Sequence, residues 1–432
     1  MLGVICMVVI ASPQYIWTLF TQPLMSSFGA SLPDIQVTFS ILIVVQTFLA
    51  PFQGFLVEAF GPRLLLSLGG AITGLSWVLA AHATSLPVLY ATYGLLGGIG
   101  TGIVYVGVIG HMVQWFPDRR GLATGLVAAG YGVGAILTTF PVSELLKRAG
   151  HQQALTQFGL IFIVVGVLAA QGLRRPPASN GHRLMAPGPH PRRLLTLMPR
   201  LGFARPRPGM AAGAASSPES RTPSPDYTPR QMLRTPIFWL MFAMMTMMST
   251  AGLMVTSQMG AFTRDFGMAD TLVFGLPLLP LALSIDRIMN GLTRPFFGWL
   301  SDQIGRENTM VIAFTLEGCA MTVWLLTRSN PLVFVLMSGL VFFGWGEIFS
   351  LFPSTLTDTF GPAHATTNYG FLYMAQGIGS VLGGPVAAAV HDRYGSWTAV
   401  FVIIITMNFA TALLAWLALK PMRRRWLLAV RA

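Results

Sequence analysis

Long apolar stretches, each interrupted by only a few polar, glycine or proline residues, take up most of the chain. Stretches able to cross about 30 Å of hydrocarbon lie at roughly 2–27, 35–57, 63–83, 86–115, 120–146 and 154–173. A second set follows at roughly 235–262, 271–301, 306–327, 331–353, 366–391 and 397–420. The pattern predicts an all-α membrane protein of twelve transmembrane helices, six in each half. Between the sets, residues 175–233 hold twelve prolines, many arginines and Ser/Gly clusters, without a sustained 3.6-residue apolar repeat. They read as a mostly disordered cytoplasmic linker. Within it, Leu194–Met198, flanked by Arg192, Arg193 and Arg200, has two readings: a short interfacial helix on the anionic leaflet, or solvated linker. The expected units are a six-helix bundle at 1–174, the linker at 175–233, a second six-helix bundle at 234–420 and a basic cytoplasmic tail at 421–432.

The halves repeat one another. The tract from Pro51 to Gly61 (PFQGFLVEAFG) returns 244 positions later from Pro295 to Gly305 (PFFGWLSDQIG). Gly125, Gly132 and Gly134 return as Gly370, Gly377 and Gly379, at a spacing of 245. Two landmarks with nearly one offset identify a duplicated bundle with pseudo-symmetric halves, an arrangement that places a transport site at the interface of the repeats.

Composition agrees with a lipid environment: 53% of the 432 residues are hydrophobic and 10% charged, where a soluble domain carries about 25% charged residues. The net charge of +12 suggests nucleic acid only until the cations are located. Of 27 Lys and Arg residues, 20 fall in the alternate loops, linker and tail of one side, five on the other and two inside spans. That asymmetry puts both termini in the cytoplasm of a multi-pass protein of the cell's inner (plasma) membrane. The first span reads as a retained helix, not a cleaved signal, because Gln14, Tyr15 and Trp17 continue it. Cys6 and Cys319 are too few for a disulfide framework or thiolate metal site and read as packing residues.

Two glycine runs, Gly98–Gly102 and Gly130–Gly134, resemble nucleotide loops but sit inside apolar helices. Gly94, Gly98 and Gly102 at four-residue spacing point to close helix packing instead. The repeated loop has its own logic. Gly61 and Gly305 supply the left-handed backbone where a helix stops, and Pro62 suits the start of the next. Glu58 and Asp302 are placed to meet Arg63, Arg306 or the Asp118-Arg119-Arg120 turn, a latch for the cytoplasmic side. Ordinary interfacial charge is the plainer alternative.

Ionisable residues at membrane depth are few: Asp286, Arg287 and Arg294 in the eighth span, Glu317 in the ninth and Glu347 in the tenth. An arginine there costs about 2.5–17 kcal/mol unless it faces a cavity or partner. Arg287, near the midplane, is read as an anchor for a carboxylate, its planar fork making two parallel hydrogen bonds. A buried structural pair with Asp286, Glu347 or Glu317 is the alternative. Arg294, two turns nearer the cytoplasm and next to Pro295, is read as a gate residue. Asp286 lies about 100° around the helix from Arg287 and is read as a structural partner to another helix. Glu317 reads as structural and Glu347 as ambiguous. Gln14, Tyr15, Trp17, Tyr105, Tyr131, Trp345, Tyr373 and Gln376 are candidates for an uncharged wall around the single cation, or for ordinary core aromatics and amides. The sequence contains no Walker-type phosphate loop, no metal-ligand cluster and no nucleophile-base set at membrane depth, so neither a cofactor nor an enzyme is expected.

Three runs, Pro13–Phe20, Trp115–Ala123 and Ser284–Thr309, resemble the oxalate/formate antiporter family of the major facilitator superfamily. Gly344–Pro353 (GWGEIFSLFP) resembles it too. The resemblance covers nearly all twelve spans and fails only in the linker. It implies that Arg287 corresponds to the arginine that binds the substrate carboxylate, that Tyr15, Tyr105 and Trp345 line the same pocket, and that Gln14 adjoins it. The departure lies in the eleventh span, where Thr-Ala-Lys-Gly is replaced by Met374-Ala375-Gln376-Gly377, and Phe349 stands where a tyrosine occurs. The chain's two lysines, Lys147 and Lys420, lie at span ends and cannot take over. A dianion needs both charges compensated, so a monoanion such as formate is the better match, held by Arg287 with Gln376 donating a neutral hydrogen bond. The expected function is secondary transport of small organic carboxylates by alternating access, through anion exchange. Proton symport or uniport stays open, as does a transporter-like sensor that binds the anion without moving it. The expected partners are that anion and the bilayer, with no nucleic acid and no obligatory protein.

Overall fold

Helix ends follow the polar punctuation of the chain. Ser31, Thr235 and Asn330 cap three helices by accepting backbone N–H groups of the first turn, which leaves fewer orphan donors in lipid. Gly61 and Gly305 both adopt positive φ, 91° and 89°, each ending one helix where the next begins. The two copies of the repeated loop are therefore the same turn. The computed structural model describes residues 1–115, 120–173, 226–361 and 364–431. Linker residues 174–225, including Leu194–Met198, and the loop with Asp118 and Arg119 lie outside the described residues, as do the side chains of Glu58 and Arg120.

Grouped across short breaks, the described helices make twelve spans. In the first half, α1 is Leu2–Tyr15 continued by Thr18–Phe28, α2 is Leu32–Phe48 continued by Ala50–Phe60, and α3 is Pro62–Ala81. Next, α4 joins Leu86–Leu89, the π-helical Tyr90–Leu96 and Gly97–Trp115. The segment Arg120–Gln171 turns at Gly150 (φ 80°) into two arms, α5 before it and α6 after it. In the second half, α7 is Pro236–Asp265, α8 Leu278–Ile304 and α9 Arg306–Leu326, while α10 joins Pro331–Trp345 to Ile348–Phe360. Finally, α11 runs through Ala365–Val381, Leu382–Val386 and Ala387–Tyr394, and α12 through Thr398–Leu414, Ala415–Leu419 and Lys420–Arg431. The expected tail is thus a helical continuation of α12.

Eight described helices are long and apolar enough to cross a membrane unaided, and the two parts of α1, bent by 47°, make a ninth span together. Gly150 divides one of the eight. Of the remaining two spans, α2 is broken at Leu49 and α8 is less apolar because it carries Asp286, Arg287 and Arg294. One boundary differs from the sequence expectation. The eighth span begins at Leu278, not near 271, because β1 (Leu272–Val273) and β2 (Leu276–Pro277) form a two-residue hairpin. Phe274 and Gly275 both take positive φ there, the geometry of the tight turn that matches strand twist.

The close-packing reading of the glycines holds. A Cβ at Gly98 of α4 would lie 2.6 Å from the Leu42 carbonyl oxygen of α2, and one at Gly134 of α5 would lie 2.6 Å from the Val8 Cα of α1. Large apolar side chains such as Leu137, Leu168, Leu326 and Trp416 point outward, a surface suited to lipid rather than water. Of the cysteines, Cys6 is buried and Cys319 is exposed on that outer face.

Candidate functional site

The bend of α1 at Ile16–Trp17, just after Pro13, and the break of α10 at Gly346–Glu347 lie beside one region of α8. There Arg287, Asn290 and Arg294 share a face, being three and seven residues apart. Arg287 is 1% exposed. Its guanidinium stacks 4.0 Å from the centre of the Tyr15 ring of α1 and 4.2 Å from that of Phe342 of α10. Its three guanidinium nitrogens have no hydrogen-bond partner among the described residues. A charged fork held between two aromatic faces, one from each half, has the donor geometry that matches a carboxylate.

Aromatic rings surround this point. Tyr15 packs on Tyr131 of α5 at 5.2 Å, Tyr131 on Tyr105 of α4 at 5.1 Å, and Tyr105 stacks on Tyr373 of α11 at 6.2 Å and 4°. Tyr373 meets Phe349 of α10, which meets Trp345. The hydroxyl of Tyr131 donates to Gln14 Oε1 at 2.6 Å. The wall therefore crosses from one half to the other and contains Gln14, Tyr15, Tyr105, Tyr131, Trp345 and Tyr373 of the candidates. Gln376 is buried on the same helix as Tyr373, with its Oε1 unpartnered. Trp17 points away, donating to Gln36 Oε1 at 3.0 Å.

Three further residues join the site without having been singled out. Asn290 is fully buried one turn below Arg287, with its Nδ2 unpartnered. Gln46 of α2 is buried beside Tyr131, and Phe342 closes the second face of Arg287. A polar amide buried in an apolar span is a readable signal for the first two. Phe342 carries none, being one of many phenylalanines.

Arg294 lies nearer the linker side, over the Phe349 ring at 4.9 Å. It donates to the Ala128 carbonyl of α5 at 3.4 Å and to Asn290 Oδ1 at 3.3 Å. The first of these bonds crosses between the halves. Asp302 pairs with Arg306 at 2.8 Å, and Arg306 reaches Asp358 at 3.2 Å, so this cluster lies within the second half. Arg63 donates to the Leu173 carbonyl at 3.4 Å within the first.

On the side away from the linker, buried amides join the halves. Gln36 of α2 donates to the Ser257 carbonyl at 2.8 Å and to Gln258 Oε1 at 3.0 Å, both on α7. Gln258 donates to the Gly384 carbonyl of α11 at 2.8 Å. The hydroxyl of Ser40 donates to the Ser380 carbonyl at 2.7 Å, and Thr18 Oγ1 accepts from Gly260 N at 2.7 Å. These direct hydrogen bonds tie the two halves together on the far side of the cage. The buried acids stand apart from the cage. Asp286 lies beside Ser338 of α10 without a hydrogen bond of its own, and Glu317 and Glu347 are fully buried.

Many apolar helices in two repeated halves, with a buried cation where the halves meet that no described residue hydrogen-bonds, match a multi-pass membrane transporter. The Major Facilitator Superfamily model matches residues 2–286 and 281–431. The chain is 31% identical over 424 residues to the oxalate:formate antiporter of Oxalobacter formigenes, covering 98% of this chain and 91% of that protein. It is 26% identical to monocarboxylate transporter 13 of Bos taurus, over 84% of this chain and 75% of that one. The chain belongs to the Major Facilitator Superfamily and, within it, to the oxalate/formate antiporter family. Its fold matches the crystal structure of the nucleoside transporter NupG with a TM-score of 0.70 at 13% identity, over 96% of this chain and 99% of that one.

Proposed function

We propose that the protein is a secondary transporter of small organic carboxylates, with formate or another short monocarboxylate bound at Arg287. The observation that carries this reading is the fully buried guanidinium of Arg287, stacked between Tyr15 and Phe342 with no hydrogen bond from its nitrogens. The names of the relatives, an oxalate:formate antiporter and monocarboxylate transporters, point to the same substrate class. Transport proceeds by alternating access, the two halves rocking around the cage. Anion exchange needs no further ligand: one carboxylate leaves and the next enters on the same cation. The termini and the basic linker face the cytoplasm of the plasma membrane, as the Lys and Arg asymmetry requires. Asp302, Arg306, Arg294 and the glycine turns belong to the moving parts on that side, together with Glu58, Arg63, Asp118, Arg119 and Arg120.

Arg294 favours a second reading. It shares the face of Arg287, so a dicarboxylate such as oxalate would find two cations along one helix without a lysine at position 376. Counterflow in proteoliposomes loaded with formate, acetate, lactate, oxalate or malonate separates the two. Preference for formate over oxalate is expected, and absence of counterflow with every anion would refute transport altogether. Gln376→Lys is expected to raise the oxalate-to-formate ratio of counterflow rates, because a new cation adds little for a substrate with one carboxylate. An unchanged ratio would mean that Gln376 does not face the second charge.

A further inference from the structure

We propose that the second half holds a proton site, built from Glu317, Glu347 and Asn408, that is separate from the anion cage and couples proton movement to carboxylate transport. Glu347 lies at the break of α10, between Trp345 and the first turn of Ile348–Phe360. Trp345 and Phe349, two residues to either side, pack on each other at 5.4 Å. Glu347, about 200° around the helix from each, therefore points away from them toward the interior of the second half. Glu317 of α9 packs on Gly344, one turn before Glu347 on the neighbouring face of α10. Glu317 is seated against α10 so tightly that a Cβ on Gly344 would lie 2.7 Å from the Glu317 Cβ.

Both carboxylates are fully buried, and neither has a hydrogen-bond partner among the described residues. Asn408 of α12 is an independent indication. Its side chain is fully buried and faces Glu317, yet its amide nitrogen and oxygen are both unpartnered. One amide can donate to a carboxylate and accept from a carboxylic acid, which suits a carboxyl–carboxylate pair that shares a proton. Two bare carboxylates at membrane depth cannot both stay ionised. A metal ion fits less well, since three side chains offer too few oxygens for a hard cation. The neighbours that helix packing brings here are uncharged among the described residues. Helix α8 meets this part of α10 through Asn290 and Thr293 against Gly346, α7 through Gly252 against Trp345, and α12 meets α9 through Phe409 against Gly318.

The position of Glu347 connects the two sites. A change in the α10 break on gaining or losing a proton moves Trp345 and Phe349, which belong to the wall around Arg287. Further along α10, past Leu351, lie Thr355 and Thr359, and Thr359 accepts from Arg423, which pairs with Glu307 at 2.6 Å. That line leads toward the linker side. One proton taken up there neutralises the charge of one bound monocarboxylate, so the loaded carrier turns over electroneutrally.

This inference rests on the carboxylate-transport reading for its coupling, but the proton itself can be detected without substrate. Infrared difference spectra of the purified full-length protein between acid and alkaline pH should contain a protonated-carboxyl carbonyl band. Glu347→Gln or Glu317→Gln should remove or shift that band. Its absence from the wild type, or its survival unchanged in both variants, would overturn the site whatever the protein transports. In proteoliposomes, a pH gradient should drive formate accumulation in the wild type at least tenfold above a vesicle without gradient. Glu347→Gln should abolish this drive while keeping formate–formate exchange at equal pH. Gradient-driven accumulation equal to the wild type in Glu317→Gln/Glu347→Gln would overturn the coupling. Loss of exchange in the wild type would instead refute the transport reading and leave the infrared result to decide the site.

Discussion

Arg287→Gln is expected to abolish carboxylate transport while the protein remains folded. The guanidinium is stacked between the two halves, and its donors are not used by any described residue. Helix packing therefore does not depend on them. In the proposed binding mode a carboxylate entering the cage would exchange water for two charge-assisted hydrogen bonds to that fork, and losing one partner of such a pair costs about 2–5 kcal/mol. That is a fall in affinity of roughly thirtyfold or more. Gln preserves length and polarity, so the thermal midpoint in detergent should move little, whereas formate, expected to raise that midpoint by mass action in the wild type, should no longer do so in the variant. Arg287→Lys should retain partial activity at most, because a point charge lacks the planar fork. Wild-type rates in Arg287→Gln would show that the anion binds elsewhere, with Arg294 the next cation along α8.

Gln36→Leu should open the far side. Gln36 accepts from Trp17 and donates to the Ser257 carbonyl and to Gln258, three buried bonds that tie α1 and α2 to α7. Leucine leaves those groups without their partner, at about 1–3 kcal/mol for each one left buried and unsatisfied. Opening to water on that side satisfies them again, so the mutation favours far-side-open conformations by roughly tenfold or more per 1.4 kcal/mol. A reporter is available at Thr47, buried on α2 below the seal. In a background with Cys6 and Cys319 replaced, Thr47→Cys should react with a membrane-impermeant maleimide from the far side at least tenfold faster when Gln36→Leu is present. Formate exchange should slow, because the return to the sealed state becomes harder. Equal labelling rates would show that the Gln36 bonds do not hold the far side closed.

The sequence by itself determined the lipid environment, the duplicated halves and most of the helix starts. Each of these rests on local physics: apolar length against bilayer thickness, prolines and capping residues at first turns, and glycine where φ must be positive. It also identified α8 as the helix bearing charge, because an arginine in hydrocarbon is costly wherever it points. The same locality explains the eighth span's boundary. A run of apolar residues around Phe274 reads as helix until the Phe274–Gly275 turn is formed. What only the tertiary structure decided is which side chains meet. Tyr15 and Phe342 approach Arg287 from opposite halves, from positions 272 residues before it and 55 after it, and no spacing in the chain encodes that meeting. Arg294 reaches α5, while Asp302 and Arg306 form a cluster with Asp358 inside the second half. Gln36 was one of several buried amides until α7 was placed against α2. Glu317 and Glu347 read as isolated acids because α9 and α10 bring them together across thirty residues of sequence. The physical reason is common to these cases: in lipid the apolar pattern says how deep a residue sits, whereas the direction it faces is settled by close packing at glycines and by hydrogen bonds between helices.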